Sequence, residues 1–391
     1  MKSRHILFVC LAFGLTGGVL AQEPDSLMKL VLEHNRSLNV AREALQVEIL
    51  EAGTGNTPPD PEVEFGYLFG KPSDMGNRID FGITQQLDFP TSYIYRTNLK
   101  KIRVSRSELV YILIRQEVLL EAKKLWIEQI HLNQLHSLLT KRFQQAEIIQ
   151  DQAERQLEAG EIGLLEVGQS NLLVASIEGE TDEVTSRLKS NRLSLQEITG
   201  GFAFESKDTL LPQPVPFISD SLLKAYRQGP STLLYQHDLD MKEEEKNLAV
   251  SNHLPKLSAG YYSETVIDQA FRGVHLGVSV PLWENINTVK RAQSEVARAE
   301  AEMDRFNYQQ DREILQKLNE LENLRSRVTK LQKALESSNS LELLATVLQN
   351  GEISFSEYFY SSDFFFRNQQ LLLRYKRDML IKEAELMKVY M

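Results

Sequence analysis

The chain has 391 residues, 42% of them hydrophobic and 25% charged, with a net charge of −10. That balance excludes a polytopic helical membrane protein and a disordered chain, and the length suits two or three globular domains or one elongated one. The acidic excess leaves no basic stripe for phosphates, so no nucleic-acid partner is expected.

Residues 1–21 read as a signal peptide. Lys2 and Arg4 precede an apolar run from Ile6 to Leu15, and small residues at Val19 and Ala21 place cleavage before Gln22. The run falls short of the ~18 residues that a membrane span needs. Cleavage takes the net charge to −12 and removes Cys10, the only cysteine, which lies too early in the apolar run for a lipoprotein site. The expectation is an exported chain without disulfides, thiol chemistry or a thioether anchor.

A short helix is expected at about 25–52, followed by strands at about 62–70 and 78–88. No proline occurs from Thr91 to Leu211, 121 residues, or from Leu282 to Met391, 110 residues. Proline is excluded from helix interiors, so both gaps predict long helices. The first gap holds a hairpin over about 91–199, turning at Gly160, with apolar spacing at Ile177, Val184, Leu188, Asn191, Leu195 and Ile198. A connection spans 201–218, a helix 219–250, and strands about 256–266 and 272–282. The second hairpin, about 284–390, turns at Gly351, and Ile314, Leu318, Leu321, Val328, Leu331 and Leu335 give it the same spacing. Charged faces between these residues predict coiled coil.

The chain repeats itself. Leu157-Glu158-Ala159-Gly160-Glu161-Ile162 matches Leu348-Gln349-Asn350-Gly351-Glu352-Ile353 at an offset of 191, Gly66-Tyr67 matches Gly260-Tyr261 at 194, and the segments at Ile79 and Val274 match at 195. A tandem duplication follows, with repeats at 22–200 and 219–391.

Each strand alternates. One set, Val63, Phe65, Tyr67, Phe69, Ile79, Phe81, Ile83, Leu257, Tyr261, Val274, Leu276 and Val278, is expected to face lipid; small or polar residues oppose it. Four strands cannot close a barrel, and an open edge in lipid leaves backbone groups unpaired. Copies must share the barrel: two give eight strands with a filled interior, three give twelve with a lumen, which the small inward residues favour. The two longest helices, roughly 67 residues or about 100 Å each, and the paired shorter ones make an elongated bundle.

Arg155 to Val167 around the first turn, Gly351 to Phe359 around the second, and Pro281-Leu282-Trp283 after the last strand resemble the TolC-like outer-membrane channel family of Gram-negative efflux and secretion systems, over roughly 25–391. Pro59-Asp60-Pro61-Glu62 and Gln86-Leu87-Asp88-Phe89-Pro90 are similar to its heavy-metal-efflux branch, although Thr91-Ser92-Tyr93 stands where that branch has Gly-Lys-Arg. The resemblance implies a mostly α fold with a β-barrel portion, a homotrimer in the outer membrane, and a periplasmic adaptor and inner-membrane pump as partners. It implies adaptor docking at Arg155, Gly160, Glu161, Ile162, Gly351, Glu352 and Ile353, and a gate at Glu166 and Glu357, each six residues after its glycine. A helix-capping role competes for both glutamates.

No cofactor or catalytic centre is expected. His131 and His136 are five residues apart and share no ligand face, and no glycine loop follows a strand to cradle phosphate. The rival reading, a periplasmic coiled-coil adaptor or structural protein, calls for one hairpin flanked by β-rich domains.

Overall fold

The structure, a computed structural model, describes residues 23–72, 75–206, 209–212, 219–267, 269–337 and 340–391. The expected signal peptide, with Cys10, lies outside the described residues, as does part of the 201–218 connection. In chain order the elements are α1 (Glu23–His34), α2 (Arg36–Glu51), β1 (Glu62–Leu68), β2 (Arg78–Leu87), α3 (Pro90–Glu158), α4 (Leu164–Ile198), α5 (Ser219–Arg227), α6 (Pro230–Ser251), β3 (Lys256–Val266), β4 (Gln269–Ser279), α7 (Thr288–Ser337), α8 (Ser340–Gln349) and α9 (Phe355–Leu386), closed by a 3-10 turn at Met387–Tyr390.

The helix α3 is 69 residues long, about 100 Å at 1.5 Å per residue. It starts on Pro90, whose missing N–H is one that a first turn leaves unpaired anyway. Buried residues recur every seventh position along it, at Leu132, Leu139, Ala146 and Ala153, and along α4 at Ser170, Ile177, Val184 and Asn191. A strict seven-residue repeat keeps two helices in contact only if they supercoil left-handedly, which is the coiled coil the spacing predicts.

Shorter helices stack end to end beside the long ones. Asn35 joins the first pair: its Oδ1 accepts the Leu38 N–H at 2.9 Å, capping α2, while its Nδ2 donates to the Ile198 carbonyl at the end of α4 at 2.7 Å. The second joint lies where Tyr226, near the end of α5, donates to the Glu385 carbonyl of α9 at 3.1 Å. The helix α3 packs on α2, α4, α6 and α9, and α7 packs on α6 and α9.

Four boundaries differ from the sequence expectation. The 25–52 helix breaks at Asn35, which sits at φ −62° and ψ 125°, outside the helical region. The 219–250 helix breaks before Pro230, because proline opens α6 at its first turn. These breaks, at Asn35 and Gly229, are 194 residues apart, the same offset as the Gly66-Tyr67 match and one less than that of Ile79 and Val274. The last strand runs from Gln269 to Ser279 rather than 272–282, since Val266 pairs directly with Gln269 and Pro281 has no N–H to give. The helix expected from about 284 starts only at Thr288 and is described as α7 and α8, with 338–339 outside the described residues.

Apolar burial forms three clusters along the bundle. The largest includes Trp126, Ile127, Ile130, Leu195, Leu321, Leu380 and Leu386; the second includes Leu132, Leu139, Ile177 and Val184. The third, at the turn end, joins Ile149 and Ala153 of α3 to Phe355 and Tyr358 of α9. Polar side chains interrupt the apolar packing. Asn191 Nδ2 donates to Gln129 Oε1 at 2.9 Å, and Arg142 of α3 pairs with Asp363 of α9 at 2.8 Å while its guanidinium lies 4.9 Å from the Phe366 ring. His131 is only 3% exposed. Burial and the Arg377 charge push its pKa down to about 4, against the opposing pull of Glu128.

Candidate functional site

The four strands form one antiparallel sheet in the order β1-β2-β3-β4, so β1 and β4 are edges without a partner among the described residues. Register decides what each face carries. Val63 pairs with Ile83, Phe65 with Phe81 and Tyr67 with Ile79; Ile83 pairs in turn with Tyr261, and Tyr261 with Val274. Eleven of the twelve residues expected to face lipid therefore share one side of the sheet, and all eleven are exposed. The twelfth, Phe69, lies one residue past the end of β1 and packs edge-on against Tyr67 at 5.0 Å.

The apolar stretch does not cross the sheet squarely. Its midpoint is Phe65 on β1 and the paired Phe81 on β2, but Ala259 on β3 and the paired Leu276 on β4. Phe81 pairs with Ser263, so the midpoint steps four residues along the strands between the first strand pair and the second.

The opposite face carries Glu62, Glu64, Gly66, Asp80, Gly82, Gly260, His275 and Gly277. On it Arg78 has two acidic neighbours: its Nε donates to Asp80 Oδ1 at 2.8 Å and lies 3.2 Å from Glu264 Oε1. Sequence reading missed this cross-strand group, because residues 78 and 264 meet only through the β2–β3 register. Pro281-Leu282-Trp283 was visible as a motif, but its exposure was not.

At the far end of the bundle both helical hairpins reverse in the same way. Gly160 and Gly351 have φ of +74° and +73°, a conformation that costs a side chain with a Cβ and costs glycine nothing. The Glu161 N–H donates to the Gln156 carbonyl at 2.9 Å, and the Glu352 N–H to the Val347 carbonyl at 3.0 Å, the bond of a Schellman stop. Arg155 is exposed and ion-paired with Asp151 one turn earlier. Ile162 and Ile353 tuck against the turn-end cluster, which brings the two hairpins together there.

The two gate candidates are both engaged in capping. Ser354 Oγ accepts the Glu357 N–H at 3.2 Å, and Glu357 Oε2 accepts the Ser354 N–H at 2.9 Å, a reciprocal capping box. Those donors hold the Glu357 carboxyl below its ordinary pKa. Glu166 makes half the arrangement: its Oε2 accepts the Gly163 N–H at 3.2 Å, and Gly163 has no side chain to return the bond. The capping geometry is thus present at both positions in the single chain.

Among the described residues no cluster of His, Cys, Asp and Glu is arranged to hold a metal, and no helix is long and apolar enough to cross a membrane. The sheet carries a face on which exposed apolar residues follow one another across all four strands.

A sheet with one exposed apolar face and two unpaired edges, carried on an elongated duplicated helical bundle, is the fold of the TolC-like outer-membrane channels. CusC, whose crystal structures concern folding and transmembrane channel formation, superposes with a TM-score of 0.81 at 14% identity, covering 94% of this chain and 91% of CusC. The CmeC outer-membrane channel of Campylobacter jejuni gives 0.78 at 16%, covering 94% and 85%. The outer-membrane protein VceC of Vibrio cholerae gives 0.76 at 13%, covering 93% and 95%. No family model and no curated protein matches the sequence.

Proposed function

We propose that the chain is the outer-membrane channel subunit of a tripartite efflux or type I secretion system, extending from the outer membrane into the periplasm. It acts as a passive homotrimeric duct without catalytic chemistry, fed by an inner-membrane pump through a periplasmic adaptor. The unpaired edges of a sheet with an exposed apolar face carry this reading. In lipid each unpaired backbone group costs several kcal/mol, so β4 of one copy must pair with β1 of the next. Three copies give twelve strands and a lumen lined by the glycine-rich, charged face. The likeness to CusC, CmeC and VceC supports the same reading.

Within it, residues 22–200 and 219–391 are the two repeats, and the turns at Gly160 and Gly351 dock the adaptor. Glu166 and Glu357 line the periplasmic entrance. The decisive measurement is mass. Protein extracted from outer membranes should run as a heat-modifiable band of three chains and conduct ions in planar bilayers. A folded, membrane-inserted monomer would refute the proposal.

A further inference from the structure

Glycines on the charged face of the sheet follow a pairing rule. Gly66 pairs with Asp80, Gly82 with Glu64 and Tyr262, Gly260 with Thr84 and His275, Gly273 with Tyr262, and Gly277 with Ser258. None of these glycines pairs with another glycine. Several lie under a side chain from the next strand, which leans into the space a Cβ would need. A Cβ on Gly260 would meet the His275 ring, one on Gly277 would meet Ser258 Oγ, and one on Gly66 would lie 3.4 Å from Asp80 Oδ2.

The rule extends to the unpaired edges. On this face β1 presents Glu62, Glu64, Gly66 and Leu68, and β4 presents Phe271, Gly273, His275, Gly277 and Ser279. Where β4 of one copy joins β1 of the next, level apolar midpoints set Leu276 opposite Phe65. His275 then falls opposite Gly66, Gly277 opposite Glu64 and Gly273 opposite Leu68, so every glycine again faces a side chain. A slip of two residues either way would set Gly66 against Gly273 or Gly277, and a slip of one would turn the apolar side inward. Apolar depth and glycine pairing are separate patterns, and both select this register.

In that register the imidazole meets two carboxylates of the neighbouring copy around Gly66. Glu64 is its diagonal neighbour, at a spacing of about 7–8 Å that long side chains bridge. Asp80 leans over Gly66 from the other side: Arg78 holds its Oδ1, which leaves Oδ2 facing the glycine. Glu64 and His275 are exposed and have no partner among the described residues. One imidazole and two carboxylates, with no thiolate, suit a divalent ion of the zinc or nickel kind.

We propose that each junction of the ring binds one such ion between His275 of one copy and Glu64 and Asp80 of the next, with Arg78 orienting Asp80 from behind. The inference rests on the channel reading, because the site exists only where two copies join; among the described residues a single chain has no such set. An ion there would tie the copies together from the lumen side.

Outer-membrane trimer purified in detergent is titrated with zinc chloride by isothermal calorimetry. The expected result is one ion per chain, lost in His275→Gln and weakened about tenfold or more in Glu64→Gln. A second arm tests the junction without metal. Cys10, the only cysteine, lies in the expected signal peptide, so paired cysteines can be introduced cleanly. Phe65 and Leu276 stand on opposite edges of the sheet within one chain, so a short bifunctional thiol reagent can join them only between copies. Phe65→Cys with Leu276→Cys should give covalent dimers and trimers on a denaturing gel. Those links without zinc binding, or with binding unchanged in His275→Gln, overturn the metal site and leave the channel. Links that form instead through Val63→Cys or Tyr67→Cys with Leu276→Cys overturn the register and the site but also leave the channel. No link between chains in any pair overturns both.

Discussion

Acid should loosen the middle of the bundle through one imidazole. His131 is buried among Glu128, Arg187, Arg377 and Asp378, and its Nδ1 has no hydrogen-bond partner among the described residues. Burial and two arginines favour the neutral ring, so its pKa in the folded chain is pulled down from 6.5 to about 4. A base with a depressed folded pKa binds its proton more readily when unfolded. Its stabilisation is complete above pH 6.5 and is lost as pH falls towards 4. Linkage puts the loss at about 3 kcal/mol per chain between pH 7 and pH 4. Carboxylates titrate in the same range, so the informative quantity is a difference. Urea or thermal unfolding of the detergent-solubilised protein, followed by far-ultraviolet circular dichroism, is compared with His131→Gln at half-unit pH steps. The wild-type advantage should shrink, or reverse, by about 3 kcal/mol over that interval. Parallel stability profiles from pH 7 to pH 4 would show that the ring is not held neutral by its surroundings, and the reasoning would fail.

Leu276→Arg should cost about 2–4 kcal/mol at the bilayer midplane and sharply reduce trimer in the outer-membrane fraction, whereas Ser258→Lys on the opposite face should assemble normally and change conductance. Gly351→Val should leave trimers in the membrane but abolish export, because a β-branched residue at φ +73° costs about 1–2 kcal/mol and distorts the turn; normal export by this variant would remove the docking assignment. Glu357→Gln should weaken cation selectivity and block by multivalent cations from the periplasmic side in single-channel recordings. Unchanged selectivity and block would leave Glu357 as the helix cap seen in the single chain.

Proline spacing made the long helices legible, since a proline-free run of more than a hundred residues has few alternatives. Period-two alternation made the strand faces legible, because a residue's side of the sheet depends only on the parity of its position. The break at Asn35 was hidden: a single asparagine can sit inside a helix or cap the next one, and its Oδ1 accepting the Leu38 N–H shows which. The break at Gly229 was legible in Pro230, which opens α6. The β3–β4 turn was drawn three residues too long because nothing local separates Gln269 from a loop until Val266 pairs with it. The gate candidates show the opposite limit. Their spacing from each glycine is visible in the sequence, but capping and gating need the same acid at the same place, and only neighbouring copies distinguish them.

The four-residue step in the apolar midpoint has a geometric consequence. Four residues are about 14 Å along a strand, and the three gaps from β1 to β4 span about 14 Å across the sheet. A flat hydrocarbon slab laid over these midpoints meets the strands at about 45°, the slant of membrane barrels. In the proposed ring of three copies this slant would become the shear of the barrel, so each β1 would have to join the preceding β4 at one fixed displacement. Deleting two residues from β2 would keep every side chain on its proper face. It would nonetheless change the shear, and the copies would wind past one another instead of closing.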